Sequence, residues 1–369
     1  MASLCVFSDT IILSFTDKMS RIAVGSDVES TDVHYADKPP DDDTRTAAVD
    51  GYVPIVCSAL SGSASYFAAS SAKNLNIWRT DDWSCLRWPL ARAASSIAFS
   101  HSERYLVVAD KSGDAYVFDV SCNSTPGRLL LGHVSMLLKI ALSPDDRFVV
   151  TCDRDEKIRV SRFPNAYNIE TYCLGHADCV TCLDFPRSHP VDLVSGSSDG
   201  TVRIWDYRTG RQIGCYDNAT DERPIVVDLT TTPADSGYLI SAIFDRFDLV
   251  RLLFVKRSHS CDVSLYRDVS INCSVPRALT ACGDRLFVLS YKVPYVSVLQ
   301  FDGKNLNFCE ELNEKLKMFM SKYSEDFAKI IDRDGEQFSY LNKRKIDDTQ
   351  DYYNRKKERL LEKSGEIKT

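Results

Sequence analysis

Long apolar stretches and metal-ligand patterns are scarce in this sequence. No stretch approaches the roughly 20 apolar residues that a helix needs to cross a bilayer. The N-terminus lacks the basic head of a secretory signal peptide, and Ser8, Asp9 and Thr10 interrupt its apolar run. No set of Cys and His residues has the spacing of a zinc finger. We therefore expect a soluble protein of the nucleus or the cytoplasm, without a metal site.

An excess of positive charge is also missing, because the formal net charge is −7. Affinity for nucleic acid comes largely from cationic contacts to phosphate, so this value argues against a body wrapped directly around nucleic acid. A glycine-rich strand-to-helix turn followed by an acidic ribose ligand is absent as well, and no bound cofactor is expected. The 13 cysteines lie scattered in apolar runs such as 172–174 and 181–183, which is typical of free thiols in a reducing compartment.

What the sequence does contain is an internal repeat. Its clearest unit runs from Gly175-His176 through two strand patterns and an Asp-Gly turn to Trp205-Asp206. The preceding unit begins with Gly132-His133, and its His lies 43 residues before His176. Earlier units place Trp78 and Phe118 where the later ones place Ser161 and Trp205. A period of about 40 to 45 residues is the signature of propeller blades.

Weaker copies follow in 225–254 and 285–299, which brings the number of repeat units to six. The N-terminal strand patterns at 4–7, 11–15 and 21–25 have no unit of their own, and pairing them with a strand from the far end would close a seventh blade. We therefore predict an all-β fold, a seven-bladed WD-repeat β-propeller over 1–309. Residues 28–50 are polar and acidic, which predicts a mobile loop.

Four residues at repeat positions are interpreted as structural: His133, His176, Asp199 and Trp205. A His and an Asp near a Ser could suggest a hydrolytic triad. Here, however, these residue types recur at repeat positions, as expected of scaffold residues joined by buried hydrogen bonds. No catalytic residue is therefore assigned, and a hydrolase or oxidoreductase working through the central channel finds no acid/base set outside the repeat positions.

After Phe308 the strand patterns stop, and residues 310–369 are predicted to form a helical, partly basic extension. Apolar residues from Leu312 to Ile330 recur at helical spacing. A second helix is expected over 351–363, and it carries the cations Arg355, Lys356, Lys357 and Arg359. These cations either form a solvated tail or nuclear-import signal, or touch RNA phosphates held mainly by a partner.

Two strings, 131–138 and 153–161, resemble the non-catalytic WD-repeat subunit of the tRNA (guanine-N7)-methyltransferase. They contain Gly-His-Val-Ser-Met-Leu and Asp-Arg-Asp-Glu-Lys-Ile-Arg, and the resemblance is strong over about residues 100 to 212. It implies a propeller that forms a heterodimer with a catalytic subunit and stabilises it. That partner would hold S-adenosylmethionine and methylate a guanosine in the tRNA variable loop, and tRNA would be bound mainly through the complex.

The resemblance places the partner contact at 153–159, where the chain departs from its own repeat. Glu156 stands where the next unit has Gly200, and Lys157 stands where it has Thr201. Exposed mixed charge at such a turn suits orientation at a protein interface. Glu156 and Lys157 are therefore the first interface candidates. Arg159 aligns with Arg203 and has an equal claim to a scaffold role, and the weaker candidates are Arg154 and Lys111.

A competing binding role arises from 193–208, which ends in Ile204-Trp205-Asp206-Tyr207-Arg208. This segment resembles the box by which some WD propellers dock onto the adaptor of cullin-type ubiquitin ligases. The resemblance implies a substrate receptor instead of a methyltransferase subunit. Co-purification of one partner or the other separates the two hypotheses.

Overall fold

A computed structural model describes residues 2–15, 18–24, 28–34, 55–71, 73–121, 127–218, 223–257, 261–271, 276–302 and 305–333. These residues form seven four-stranded antiparallel sheets, and each sheet is built from four strands that are consecutive in the chain. The innermost strands of neighbouring sheets follow one another around a ring. The predicted seven-bladed β-propeller is therefore confirmed.

The blades are numbered here in chain order. Blades 1 to 3 consist of β1 Ala2–Phe7, β2 Thr10–Phe15, β3 Lys18–Val24, β4 Val28–His34, β5 Ile55–Leu60, β6 Tyr66–Ser71, β7 Asn74–Arg79, β8 Cys85–Pro89, β9 Ala94–Phe99, β10 Tyr105–Asp110, β11 Asp114–Asp119 and β12 Arg128–Gly132. Blades 4 and 5 consist of β13 Leu137–Leu142, β14 Phe148–Asp153, β15 Ile158–Arg162, β16 Ile169–Cys173, β17 Val180–Asp184, β18 Asp192–Ser197, β19 Thr201–Asp206 and β20 Arg211–Asp217. Blades 6 and 7 consist of β21 Val226–Ala234, β22 Gly237–Phe244, β23 Leu249–Arg257, β24 Cys261–Ser270, β25 Pro276–Cys282, β26 Arg285–Ser290, β27 Val296–Phe301 and β28 Leu306–Phe308.

Burial falls from the second strand of a blade to the outermost one. Every residue of β14 and of β18 is buried, because both faces of these strands pack against neighbouring blades. The outermost strand β16 is largely exposed. The positions that the repeat aligned are equivalent in the structure. Each lies on the third strand of its blade and pairs with the second residue of the preceding strand: Trp78, Phe118, Ser161 and Trp205.

The way in which the ring closes differs from the prediction. The N-terminal strands do not pair with a strand from the far end, because β4 completes their sheet and blade 1 stands as a blade of its own. The predicted loop over 28–50 is therefore wrong for 28–34, and 35–50 lie outside the described residues. The loop was predicted from polar composition, but an outermost strand also needs few apolar residues.

Side-chain packing and two helices join blade 7 to blade 1. Leu4, Ile11 and Leu13 of blade 1 share one apolar cluster with Phe287 and Val298 of blade 7. The hydroxyl of Thr280 also donates to the carbonyl of Leu4, at 3.5 Å. The seam between the first and last blades is thus closed without strand exchange.

The helices α1 Glu310–Met320 and α2 Ser324–Arg333, joined by a 3-10 turn at Ser321–Tyr323, cover that seam. Leu316, Met320, Tyr323 and Phe327 are buried in the seam cluster, in agreement with the predicted apolar stripe. Asn313 donates to the carbonyl of Val298 and accepts from its N–H, at 2.8 and 2.7 Å. Asn313 thus binds the edge of β27 next to the end of β28, where Cys309 N–H also donates to the carbonyl of Val298 at 3.1 Å. The second predicted helix, 351–363, lies outside the described residues.

Among the described residues no helix is long and apolar enough to span a membrane, and no group of three or more metal-ligating side chains comes together. Cys179 and Cys182 form a C-x-x-C pair, but both are buried on β17 or beside it. The thiol of Cys179 donates to the carbonyl of Arg154, at 3.4 Å. Burial raises the pKa of the Cys182 thiol to about 12, so this pair is structural rather than reactive.

Candidate protein-binding surface on blades 3 and 4

Two turns and one loop of blades 3 and 4 meet at one end of the ring. They are the turn 111–113 between β10 and β11, the loop 133–136 between β12 and β13, and the turn 154–157 between β14 and β15. The loop touches both turns, because His133 N–H donates to Gly113 at 2.8 Å and Arg154 N–H donates to Met136 at 3.0 Å. We call these three segments together the blade 3/4 surface.

Blade 5 shows what the repeat does when it serves the scaffold alone. His176 lies 3.0 Å through Nδ1 from the carboxylate of Asp199 and 2.7 Å through Nε2 from the hydroxyl of Ser195. The indole N–H of Trp205 donates to the same hydroxyl at 2.8 Å. Burial lowers the pKa of His176, which stabilises the neutral ring. His176, Asp199 and Trp205 thus form a buried, fully bonded network that joins the strands.

Blade 4 has the same hydrogen-bond network without the Trp. His133 lies 2.9 Å through Nδ1 from Asp153 and 2.8 Å through Nε2 from Thr151. Ser161 replaces Trp205, so no indole reaches the hydroxyl. Although burial opposes it, hydrogen bonding to His133 and to backbone N–H groups lowers the pKa of Asp153. His133 is therefore a scaffold residue of blade 4.

The carboxylate that holds the turn comes two residues earlier in blade 4 than in blade 5. Spacing aligns Asp155 with Asp199, yet Asp153 contacts the His and accepts from Asp155 N–H at 2.9 Å. Asp110 of blade 3 has the same early position and accepts from Ser112 N–H at 2.8 Å. Asp153, which stands where the next unit has Ser197, is thus explained by folding. Glu156 and Lys157 remain departures from the repeat that the contacts of Asp153 do not explain.

Glu156 adopts a backbone conformation that favours glycine. Its φ is +59°, whereas the equivalent residues of blades 3 and 5 are Gly113 at +103° and Gly200 at +82°. A left-handed residue with a side chain costs about 1 to 2 kcal/mol. The chain therefore places a carboxylate where folding alone favours glycine, and the adjacent Lys157 is exposed. Positive φ values also occur at Glu103 and Asp146, so what distinguishes Glu156 is the glycine at the same position in blades 3 and 5.

Arg159 joins blades 3 and 4 instead of facing outwards. Its guanidinium donates to the carbonyls of Gly132 and Ala166, at 3.0 and 3.1 Å, and to the hydroxyl of Ser161, at 2.9 Å. Burial lowers its pKa. Arg203 in blade 5 makes similar contacts, to Thr201 and Gln212. The geometry therefore gives Arg159 a scaffold role, through which it holds the turn of Glu156 and Lys157 against blade 3.

The two weaker candidates occupy different environments. Arg154 is half-buried, and its backbone bonds to blade 5 through Cys179 as well as to Met136. Lys111 is exposed on the turn of blade 3. Its ammonium group, together with that of Lys139, opposes the burial that raises the pKa of the Cys57 thiol to about 12. Lys111 therefore belongs to the exposed part of the blade 3/4 surface. Arg154 lies partly beneath it and binds the loop of Met136 through its backbone.

Sequence reasoning missed two exposed apolar side chains, one on this surface and one next to it. Val134 is 105% exposed and Leu174, which follows β16, is 63% exposed. Lys157 and Leu174 directly adjoin the last pair of the antiparallel register, Ile158 with Cys173. The position of Val134 directly after the Gly-His pair, in a loop and not in a strand, was the available signal.

The segment that resembles a ligase-docking box is occupied by internal contacts. Trp205 and Tyr207 are fully buried, and the guanidinium of Arg208 lies 3.1 Å from the carboxylate of Asp145 in blade 4. Side chains used in this way brace the blade and leave little of the motif for an adaptor. The possible tRNA contacts Arg355, Lys356, Lys357 and Arg359 lie outside the described residues.

Comparison with known proteins identifies relatives of this chain. The family model of the tRNA methyltransferase TRM82 WD40 domain matches residues 121–245. The tRNA (guanine-N(7)-)-methyltransferase non-catalytic subunit wdr4 of Danio rerio is 33% identical over 334 residues, which cover 83% of this chain and 77% of that protein. The non-catalytic subunit wuho of Aedes aegypti is 29% identical over 358 residues, or 91% and 85% of the two chains.

Other matches are shorter or purely structural. The Mus musculus non-catalytic subunit WDR4 is 48% identical over 172 residues, or 46% of this chain. The chain spans only about two fifths of the length of the mouse and human relatives, 42% and 40%. The solved structure of the RRP9 WD40 repeats has a TM-score of 0.61 at 18% identity and covers 77% of this chain and 84% of that one. At this identity the likeness concerns the fold alone.

Proposed function

Because this chain belongs to the family of tRNA (guanine-N(7)-)-methyltransferase non-catalytic subunits, we propose that it binds and stabilises a separate catalytic subunit. The two chains form a one-to-one heterodimer. The partner holds S-adenosylmethionine and transfers its methyl group to N7 of a guanosine in the tRNA variable loop. The propeller contributes a rigid surface that orients this partner, and it acts in the nucleus.

The blade 3/4 surface supports this proposal. Its buried groups, His133, Asp153 and Arg159, are engaged in bonds that fix the loop and the two turns. Lys111 and Lys157 are exposed and Glu156 is half-buried, so the surface carries both signs of charge. A rigid base with mixed charge above it favours one orientation of a complementary partner and excludes others. The observation that carries the proposal is Glu156, whose side chain is kept at φ +59° where the neighbouring blades have glycine.

Contact with tRNA is proposed to be mainly the work of the complex. The net charge of −7 leaves the propeller without a general attraction for phosphate. We propose that the basic tail with Arg355, Lys356, Lys357 and Arg359 adds a peripheral contact to the RNA backbone. Deleting the residues after Ser339 should spare subunit binding but lower the tRNA affinity of the complex, with a weaker dependence on salt concentration. An unchanged affinity and salt slope would leave the tail without a role in binding tRNA.

Reconstitution tests the proposal as a whole. The full chain, the catalytic subunit and their complex are purified, and methyl transfer to tRNA is measured for each. We expect one-to-one co-purification, no turnover by this chain alone, and a catalytic subunit that unfolds at a higher temperature in the complex. Turnover by this chain alone, or capture of a cullin-ligase adaptor in place of the methyltransferase subunit, would overturn the proposal.

A further inference from the structure

Val134 presents an apolar side chain to solvent. At 105% it is the most exposed of the large hydrophobic residues that the structure describes. Its neighbours in the loop behave differently, since the side chain of His133 is bonded to Asp153 and Ser135 is buried. The loop therefore turns one apolar side chain outwards while its other residues are held inwards.

The backbone on either side of Val134 is fixed. Gly113 lies so close beneath the loop that a Cβ at this position would be 2.5 Å from the carbonyl oxygen of His133 and 2.7 Å from that of Ser135. On the other side, the carbonyl of Met136 accepts from Arg154 at 3.0 Å. A side chain presented on a fixed backbone loses little conformational entropy on binding, which is how an interface anchor gains affinity.

Charged residues lie on both sides of Val134. The turn of Gly113 carries Lys111, and the turn of Arg154 carries Glu156 and Lys157. Protein interfaces commonly consist of a desolvated apolar centre inside a polar rim, and the centre accounts for most of the affinity. The two turns that contact the loop of Val134 carry these charges, which suits a polar rim beside an apolar centre.

We propose that Val134 is the apolar anchor of the subunit interface and enters a hydrophobic pocket of the catalytic subunit. This inference rests on the proposed function and adds the chemistry of the partner's site. The pocket accepts a branched aliphatic side chain. Its edge presents carboxylates towards Lys111 and Lys157 and a cation towards Glu156.

Binding of the purified catalytic subunit to full-length variants tests the anchor. Val134→Asp should raise the Kd at least 30-fold, because it places a carboxylate in an apolar pocket, and Val134→Ala should raise it about 5-fold. Since Val134 is exposed in the unbound chain, both variants should keep the thermal unfolding temperature of the parent. The matched control is Val191→Asp, which changes a Val that is 41% exposed. Val191 lies in blade 5 between β17 and β18, a connection between first and second strands, whereas the blade 3/4 surface has none of these.

The outcomes separate the anchor from the proposed function. Loss of binding by Val134→Asp with full binding by Val191→Asp would support the anchor. Full affinity of Val134→Asp, in a chain whose parent binds the catalytic subunit, would overturn the anchor and leave the proposed function standing. A parent chain that does not bind the catalytic subunit would overturn the proposed function itself.

Discussion

Blades 4 and 5 are built from the same repeat, but they resolve its third strand and its turn in different ways. Blade 5 has Trp205 bonded to Ser195, and Gly200 at the left-handed position of the turn. Blade 4 has Ser161 in place of the Trp, and Glu156 in place of the Gly. The difference teaches that the turn tolerates a residue with a side chain, and under the proposed function the Glu156 carboxylate is kept there for binding.

The largest effect is expected from Trp205, which blade 5 has and blade 4 lacks. Trp205→Ala should lower the free energy of unfolding by about 3 to 5 kcal/mol, since it removes a fully buried indole and leaves Ser195 with one partner fewer. Ser161→Ala in blade 4 removes one hydrogen bond from Arg159 and should cost about 1 kcal/mol. Chemical denaturation of both variants checks this. Equal losses would contradict the contrast between the blades.

An intermediate effect, on binding and not on folding, is expected from the charges of blade 4. The double variant Glu156→Arg with Lys157→Glu should weaken binding of the catalytic subunit about 100-fold, or about 2.7 kcal/mol, because it places like charges opposite one another. Titration calorimetry measures the affinity, and circular dichroism verifies the fold. Full affinity in a folded variant would move the interface away from this turn.

The sequence alone was sufficient for the fold class but not for all of the site. A period of 40 to 44 residues located the blades, because the Gly-His pair and the third-strand aromatic recur with it. It could not decide that Asp153 rather than Asp155 reaches His133, since that depends on how the turn folds. Nor did it identify Val134, because a position directly after the Gly-His pair predicts a loop but not whether the side chain is exposed.

The prediction of a loop over 28–34, where the structure has β4, failed for a related reason. The outermost strand of a blade is held by backbone pairing along one edge, in this case to β3, and its composition needs no apolar alternation. A polar, acidic run therefore matched a loop as well as a strand. The predicted start of the acidic loop at residue 28 was therefore wrong, because backbone pairing and not composition determines where β4 ends.

The smallest effect tests the strain at the turn by exchanging the two residues. Glu156→Gly should leave the free energy of unfolding within about 1 kcal/mol of the parent or raise it, whereas Gly200→Glu should lower it by about 1 to 2 kcal/mol. A Cβ at Gly200 meets no atom closer than 3.4 Å, so backbone strain and not a clash dominates the second change. If Glu156→Gly is destabilising by more than about 2 kcal/mol, Glu156 has a folding role that this account denies.

The central claim is that blade 4 presents the partner-binding site while the equivalent turn of blade 5 does not. Hydrogen–deuterium exchange of this chain, alone and in complex with the catalytic subunit, measures both turns in one experiment. Segments 111–113, 133–136 and 154–157 should become protected on binding, and 198–201 should exchange at the same rate in both states. Protection of 198–201 with no change at 154–157 would contradict the account.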